Sequence, residues 1–210
     1  LRPICPPIYD QGQLGSCTAN AGVAARVMLN KLTVNLSRLF QYFEERNIEG
    51  DINTDGGAQM RDIGKAMSTY GVCEESYDPY DITKFTVTPS TKAITNAVQY
   101  KIKSYYSVTT QTQIKQVLAL QQQPVLIGID VYTSFESATV AKTGIIPLPN
   151  IKKEKLLGGH ALCVIGYDDT KKWFIVRNSW GTSWGDKGYL YLPYTYFTKG
   201  YTSDFWVLQN

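Results

Sequence analysis

Apolar positions in the first half of the chain recur at helical spacing, and those in the second half alternate in the manner of strands. Ala21, Val23, Ala24, Val27, Met28 and Leu32 follow Ser16-Cys17-Thr18 at the spacing of a buried helix about 14–16 residues long. Gly15 and Ser16 suit a turn into a helix start, which puts Cys17 in the first turn. Residues 37–48 predict a second helix, and residues 59–70 a third that ends near Gly71. Asp55-Gly56-Gly57 reads as a turn, and residues 77–89, bounded by Pro79 and Pro89, as a loop. Residues 100–108 alternate as a strand, and residues 111–122 predict one more helix, stopped at Pro124. Short β-branched and aromatic runs then follow at 125–131, 144–146, 160–167, 173–178, 188–192 and 203–208. The first dozen residues, with Pro3, Pro6 and Pro7, form an irregular arm. Helices first and strands later predict an α+β chain of two subdomains with a cleft between them.

Composition narrows the chemistry. The 210 residues carry 21 basic and 18 acidic side chains, a net charge of +3. That balance, without a dense Lys/Arg cluster, argues against nucleic-acid or membrane partners. No apolar run approaches the 18–20 residues, roughly, of a spanning helix. The chain opens on Leu1-Arg2-Pro3, which reads as the interior of a longer product from which an N-terminal segment has been removed. There is 1 histidine and there are 4 cysteines, with no C-x-x-C pair. Any chemistry that needs an imidazole must therefore use His160, and no metal or organic cofactor is implied.

Three places carry chemistry. A thiol at a helix start meets the positive end of the macrodipole and unsatisfied N–H groups, which favour thiolate. Most cysteines merely fill the core. Cys17, however, follows Gly15, and Gln11 sits six positions back in a glycine-flanked loop, able to aim amide N–H donors at the thiol. His160 stands after Gly158-Gly159, which leave room around its ring, and before an apolar run that anchors it. The stretch from Arg177 to Gly185 holds two tryptophans and Asn178, whose amide oxygen can accept from an imidazole under an indole cover. In chain order these are a nucleophile, its base and the base's orienter.

The blocks 11–17 (QGQLGSC), 159–162 (GHAL) and 178–185 (NSWGTSWG) resemble the signature regions of papain/cathepsin cysteine proteases. His160 lies within the family's spacing of about 130–150 residues from the cysteine, and Asn178 slightly beyond it. Asp55-Gly56-Gly57, Gln123-Pro124-Val125 and the end at 201–205 extend the likeness over nearly the whole chain. The resemblance implies a papain-like two-subdomain fold: one peptidase domain over 1–210, with a mainly helical left part at 11–100. The right part, 101–210, would be mainly β and barrel-like, with terminal segments crossing over. It implies Cys17 as thiolate, His160 as its imidazolium partner, Asn178 as orienter and Trp180 as shield. Gln11 and the Cys17 N–H would form the oxyanion hole. Gly56, Gly57, Ala58, Gln59, Gly128, Gly158, Gly159, Ala161, Trp180 and Ser203 would line the substrate cleft.

The implied activity is a cysteine endopeptidase working through a thioester; a same-fold exopeptidase or an acyl- or amide-transfer enzyme is the alternative. A catalytically dead binding module is disfavoured because Cys17, His160, Asn178 and Gln11 are all present. Implied partners are polypeptide substrates, a removed pro-segment or a protein inhibitor, with the chain a monomer. Thr18 departs from the family in replacing the aromatic residue after the nucleophile, and Leu14 in replacing a cysteine. The sparse cysteines look more like bacterial, archaeal or viral relatives than animal lysosomal enzymes. The resemblance implies a secreted or vacuole/lysosome-like location, the few cysteines an intracellular or virion-associated one, and both stay open. Cys163 reads as a buried free thiol, and Cys5–Cys73 is the one bridge entertained. The main pocket should be roomy and take large apolar side chains. Strand alternation puts Ser203 and Phe205 on one face and Asp204 on the other, so acceptance of basic side chains through Asp204 is the lesser option.

Overall fold

The computed structural model describes all residues, 1–210. Helices α1 (Cys17–Asn30), α2 (Arg38–Glu49) and α3 (Met60–Thr69) form the first half. α1 is buried along almost all of its length, its buried polar side chains Thr18, Asn20 and Arg26 hydrogen-bonded to Glu45, Ser16 O and Tyr100 O. It crosses α3 closely: a Cβ on Gly22 would lie 2.4 Å from Ile63 Cγ2. Ser37 caps α2 by accepting from Phe40 N, and Gly50 ends it in the left-handed conformation. The short α4 (Thr91–Ala97), capped by Ser90, follows the loop region.

The second half is a six-stranded antiparallel sheet, β1 (Ser104–Val108), β2 (Val125–Tyr132), β3 (Leu156–Asp168), β4 (Trp173–Arg177), β5 (Tyr189–Pro193) and β6 (Thr202–Gln209). Its strand order is β1-β6-β2-β3-β4-β5. Alternation gives the central strands β2 and β3 two apolar faces. Val125, Ile127, Ile129 and Val131 of β2 join Leu162 and Val164 of β3, Phe174, Val176 and Leu190 in one core. Leu126, Ala161, Cys163 and Ile165 face the other way, against α1 and α3. The sheet is thus a wall shared by two cores.

Several local expectations change. The helix expected over 111–122 is α5 (Gln111–Gln116) running on into a π-helical turn, Val117–Gln121. Residues 144–146 form no strand; Ile145 makes a single bridge to Tyr191. The short helices α6 (Ala138–Thr143) and α7 (Thr195–Thr198) had no clear periodic signal, being barely a turn or two long. The N-terminal arm runs along the junction of α1 and the sheet. Leu1 N donates to Ile165 O at 2.8 Å, Arg177 donates to Pro6 O at 2.7 Å and Pro7 O at 2.5 Å, and Arg2 pairs with Asp186.

The Cys5–Cys73 bridge is absent, and all four cysteines are free thiols. The reason is placement. Cys5 lies beside α1, with its Sγ 3.4 Å from Met28 Sδ, whereas Cys73 is packed among Phe40, Ala93 and Ala97. A disulfide needs Cα atoms within about 7 Å. Denatured, unreduced protein should therefore titrate 4 thiols with a chromogenic disulfide; a count of two would restore a bridge.

Candidate active site

The loop before α1 is pinned from the side. Asp55 Oδ1 and Oδ2 accept from Gly15 N at 3.0 and 3.1 Å, and Oδ1 also accepts from Tyr42 Oη at 2.5 Å. Tyr42 Oη in turn accepts from Gly57 N at 3.2 Å. A Cβ on residue 15 would stand 2.9 Å from Asp55 Oδ1, so glycine alone fits this clasp. Ser16 begins α1 without capping it. Its hydroxyl lies 2.5 Å from Tyr80 Oη and accepts from Asn20 Nδ2 at 3.0 Å. The first N–H groups of α1 are left without a side-chain acceptor, beside the Cys17 thiol.

His160 stands in β3 opposite Ile129 of β2, buried. Its Nε2 is 2.8 Å from Asn178 Oδ1, just beyond the end of β4. The Trp180 ring stacks on the imidazole at 4.8 Å between centroids, and is itself held edge-on by Phe135 and Trp184. Ser179, quoted in the sequence block but given no role there, joins two parts of the site. Its N–H donates to Asn178 Oδ1 at 2.8 Å, and its hydroxyl donates to Gln11 Oε1 at 2.7 Å. Gln11 N donates to Ser179 O at 2.9 Å. One Nε2 hydrogen of Gln11 goes to Leu14 O at 3.0 Å, which leaves the amide's second hydrogen free.

A cleft of about 600 Å³ gathers these residues. Gln11, Cys17, Gly56, Gly57, Ala58, Gln59, Gly128, Gly158, Gly159, His160, Ala161, Trp180 and Ser203 all line it. Asn178 lies behind His160, buried rather than on the wall. The cleft also holds residues that sequence reasoning did not place there: Asp130 and Glu136, with Met60, Ile129, Val131 and Leu157 as apolar wall. Asp204 is the clearest correction. β6 pairs Trp206 with Leu126 but Ser203 with Gly128, so β6 carries one extra residue in that interval. Asp204 absorbs it with φ of 52°, a left-handed conformation that Asp tolerates better than most residues. The bulge breaks alternation, and Ser203 and Asp204 both line the cleft.

Burial works against charge on both reactive groups. It pushes the Cys17 thiol up, opposed by backbone N–H groups of Ala161, Thr18 and Cys17 itself. It pushes His160 down to about 4, opposed by the Asn178 bond and by the negative charge of Glu136. The only side-chain hydrogen bond of His160 is to Asn178, so thiol and imidazole are not bonded to each other here. The uncharged pair is the state that burial favours. A thiolate–imidazolium pair forms only by drawing on the mutual attraction of its two charges.

The arrangement brings a thiol, an imidazole and an amide together at one cleft, and the comparisons give the chain's family. The model of the papain family of cysteine proteases matches residues 2–201, and the chain belongs to that family. A peptidase C1-like protein of Acanthamoeba polyphaga mimivirus is 41% identical over 96% of this chain and 69% of its own length. Cysteine proteinase 1 of Entamoeba histolytica is 30% identical over 94% of this chain, which spans 63% of that protein. Xylellain, a cysteine protease from Xylella fastidiosa, superposes with a TM-score of 0.90 at 37% identity, over 99% of this chain and 84% of its own. A Carica candamarcensis cysteine protease, solved in complex with E-64, shares the fold with a TM-score of 0.74 at 21% identity, over 100% of this chain and 95% of its own. The fold is papain-like and the class is that of a cysteine peptidase. A viral relative stands among these.

A stability consequence follows from the buried imidazole. The unfolded chain takes up a proton near the ordinary histidine value of about 6.5, and the folded chain only near 4. Stability held above the higher value is lost as pH falls toward the lower one, by about 3 kcal/mol. Urea unfolding of wild type and His160→Ala at about pH 7 and pH 4 should show the wild type losing more by about this amount. Equal losses in the two proteins would contradict a buried neutral His160.

Proposed function

We propose that the chain is a cysteine endopeptidase in which Cys17 attacks the peptide carbonyl carbon. The tetrahedral oxyanion is received by the Cys17 N–H and the free Gln11 Nε2 hydrogen. His160 takes the Cys17 thiol proton as the S–C bond forms and the carbonyl π pair moves to oxygen. The oxyanion then collapses, the C–N bond breaks, His160 gives that proton to the leaving amine, and a thioester remains on Cys17. Water, deprotonated by His160, attacks the thioester; the thiol is regenerated and the acid product leaves. Asn178 holds the imidazole in one tautomer, with Nε2–H toward its Oδ1, and Trp180 keeps water from that bond. Gly56 and Gly57 offer backbone to an extended substrate. The observation that carries this reading is the meeting, in one cleft, of an uncapped helix start at Cys17 with an Asn-bonded, indole-covered His160. On this reading the partners are polypeptides and, before activation, a pro-segment, and the enzyme acts as a monomer. A proform among the fold neighbours, procathepsin L 3 of Tenebrio molitor, supports the pro-segment.

The walls speak to specificity. The main pocket, lined by Ala58, Gln59, Gly128, Gly158, Ala161 and Ser203, has room for a large apolar side chain. Asp130, Glu136 and Asp204 add carboxylates, none of them ion-paired, and no Lys or Arg lines the cleft. Basic side chains are therefore accepted as well.

Hydrolysis of a fluorogenic dipeptide amide should be abolished by an epoxysuccinyl thiol inhibitor and by Cys17→Ala. Gln11→Ala should lower kcat by about 10²–10³. The acid limb of kcat/KM should lie near pH 4, where His160 takes its proton. Full activity in Cys17→Ala would end the reading. In a peptide library, Asp204→Asn should lower kcat/KM for basic side chains by about tenfold and leave apolar ones unchanged. A library led by acidic side chains would overturn the specificity assignment.

A further inference from the structure

Glu45 on α2 has no exposed surface, and the chemistry above does not use it. Its carboxyl accepts from Thr18 Oγ1 at 2.5 Å and from Gln41 Nε2 at 2.8 Å. Gln41 Nε2 donates also to Ile63 O of α3 at 3.2 Å, and its own Oε1 has no partner. Thr18 is the residue after Cys17, in the first turn of α1, and it lines the cleft. The groups that face Glu45 are Cys17 and Thr18 from α1, Gln41, Arg46 and Glu49 on its own helix, and Asp62 of α3 beside Glu49. Arg46, the one cation, spends its guanidinium on the carbonyls of Tyr42, Ile52, Thr54 and Phe85. A carboxyl buried without an ion partner is costly, and an apolar residue of like volume would pack there at less expense.

We propose that Glu45 is a positioning residue for the Cys17 nucleophile: it anchors Thr18 from beneath the first turn of α1, and the charge state of its carboxyl sets the alkaline limit of Cys17 reactivity. This rests on the reading of Cys17 as nucleophile. Thr18 Oγ1 reaches Glu45 through one short bond, so the turn that aims the thiol is held from inside the helical layer. Burial pushes the Glu45 carboxyl up to about 8, with the Thr18 and Gln41 bonds opposing and Cys17 and Glu49 adding to the rise. Burial thus favours its uncharged form at neutral pH. Once it ionises, its negative charge lies beneath the turn that carries the thiolate, and two like charges so close raise each other's proton affinity.

The test follows the rate of inactivation by an epoxysuccinyl inhibitor, and kcat/KM, from about pH 5 to pH 10 in wild type and Glu45→Gln. Glutamine keeps the position uncharged: its Oε1 can accept from Gln41 Nε2, and its amide N–H can donate to Thr18 Oγ1. Its rates near pH 6 should stay within about threefold of wild type, and its alkaline decline should move up by about one pH unit, a tenfold rate difference. An unmoved decline in a folded Glu45→Gln would overturn the inference. Should that variant not fold, infrared titration of wild type decides. A protonated-carboxyl band must persist at about pH 7 and vanish over the interval in which inactivation slows; no such band would overturn it. Turnover by Cys17→Ala would instead remove the nucleophile reading beneath it, while an intact nucleophile with an unmoved decline removes only the Glu45 assignment.

Discussion

Where α1 lies along β3, consecutive residues of one strand are sent to opposite sides of a wall. Ala161 and Cys163 face the helix, while His160, one position earlier, turns to the Trp180 side. The helix can come close because the residues it meets are small, and because Gly22 lets α3 cross tightly behind it. That approach brings the start of α1 and the start of the buried part of β3 to one cleft. Had β3 slipped by a single residue against β2, His160 would point into the helical core and alanine would face the indole. The register of β2 and β3, with Ile129 opposite His160, is therefore a chemical requirement as much as a packing one.

Much of this was legible in the residues. α1 to α3 are long and periodic, and their ends fall within a residue or so of the reading. Cys17, His160 and Asn178 stood out because each sits in a block whose glycines and tryptophans suit no ordinary helix or strand. What escaped was conformational detail set by tertiary contact. The bulge at Asp204 depends on how β6 meets β2, and nothing in Ser203-Asp204-Phe205 announces an extra residue. The π-helical turn at 117–121 and the helices α6 and α7 are too short for periodicity to register. Asp55 reads as part of a turn and Ser179 carries no signal of its own; their work as connectors emerges only from partners far along the chain. Cys5 and Cys73 are paired in number only; the fold puts them in different cores.

Charge is distributed against the average. The chain as a whole is mildly basic, yet its cleft presents carboxylates and no cation. The reactive pair sits deeper still, where burial opposes ionisation of thiol and imidazole alike. Electrostatics in this molecule are layered: carboxylates on the cleft walls, a thiol and imidazole that burial keeps uncharged, and a buried carboxyl beneath.

Ser179 has a consequence for how the protein can change. Through one backbone unit and one hydroxyl it ties the amide of Gln11 to the amide of Asn178. The group that would stabilise the oxyanion and the group that orients the base are thus set by a common ruler. Substitutions on the Gln11 loop and on the segment after β4 will not act independently, and their effects should be strongly non-additive in double-mutant cycles. A lineage exploring new chemistry on this scaffold cannot retune its electrophile-binding side and its proton-handling side one at a time; it must move them together or rebuild the joint.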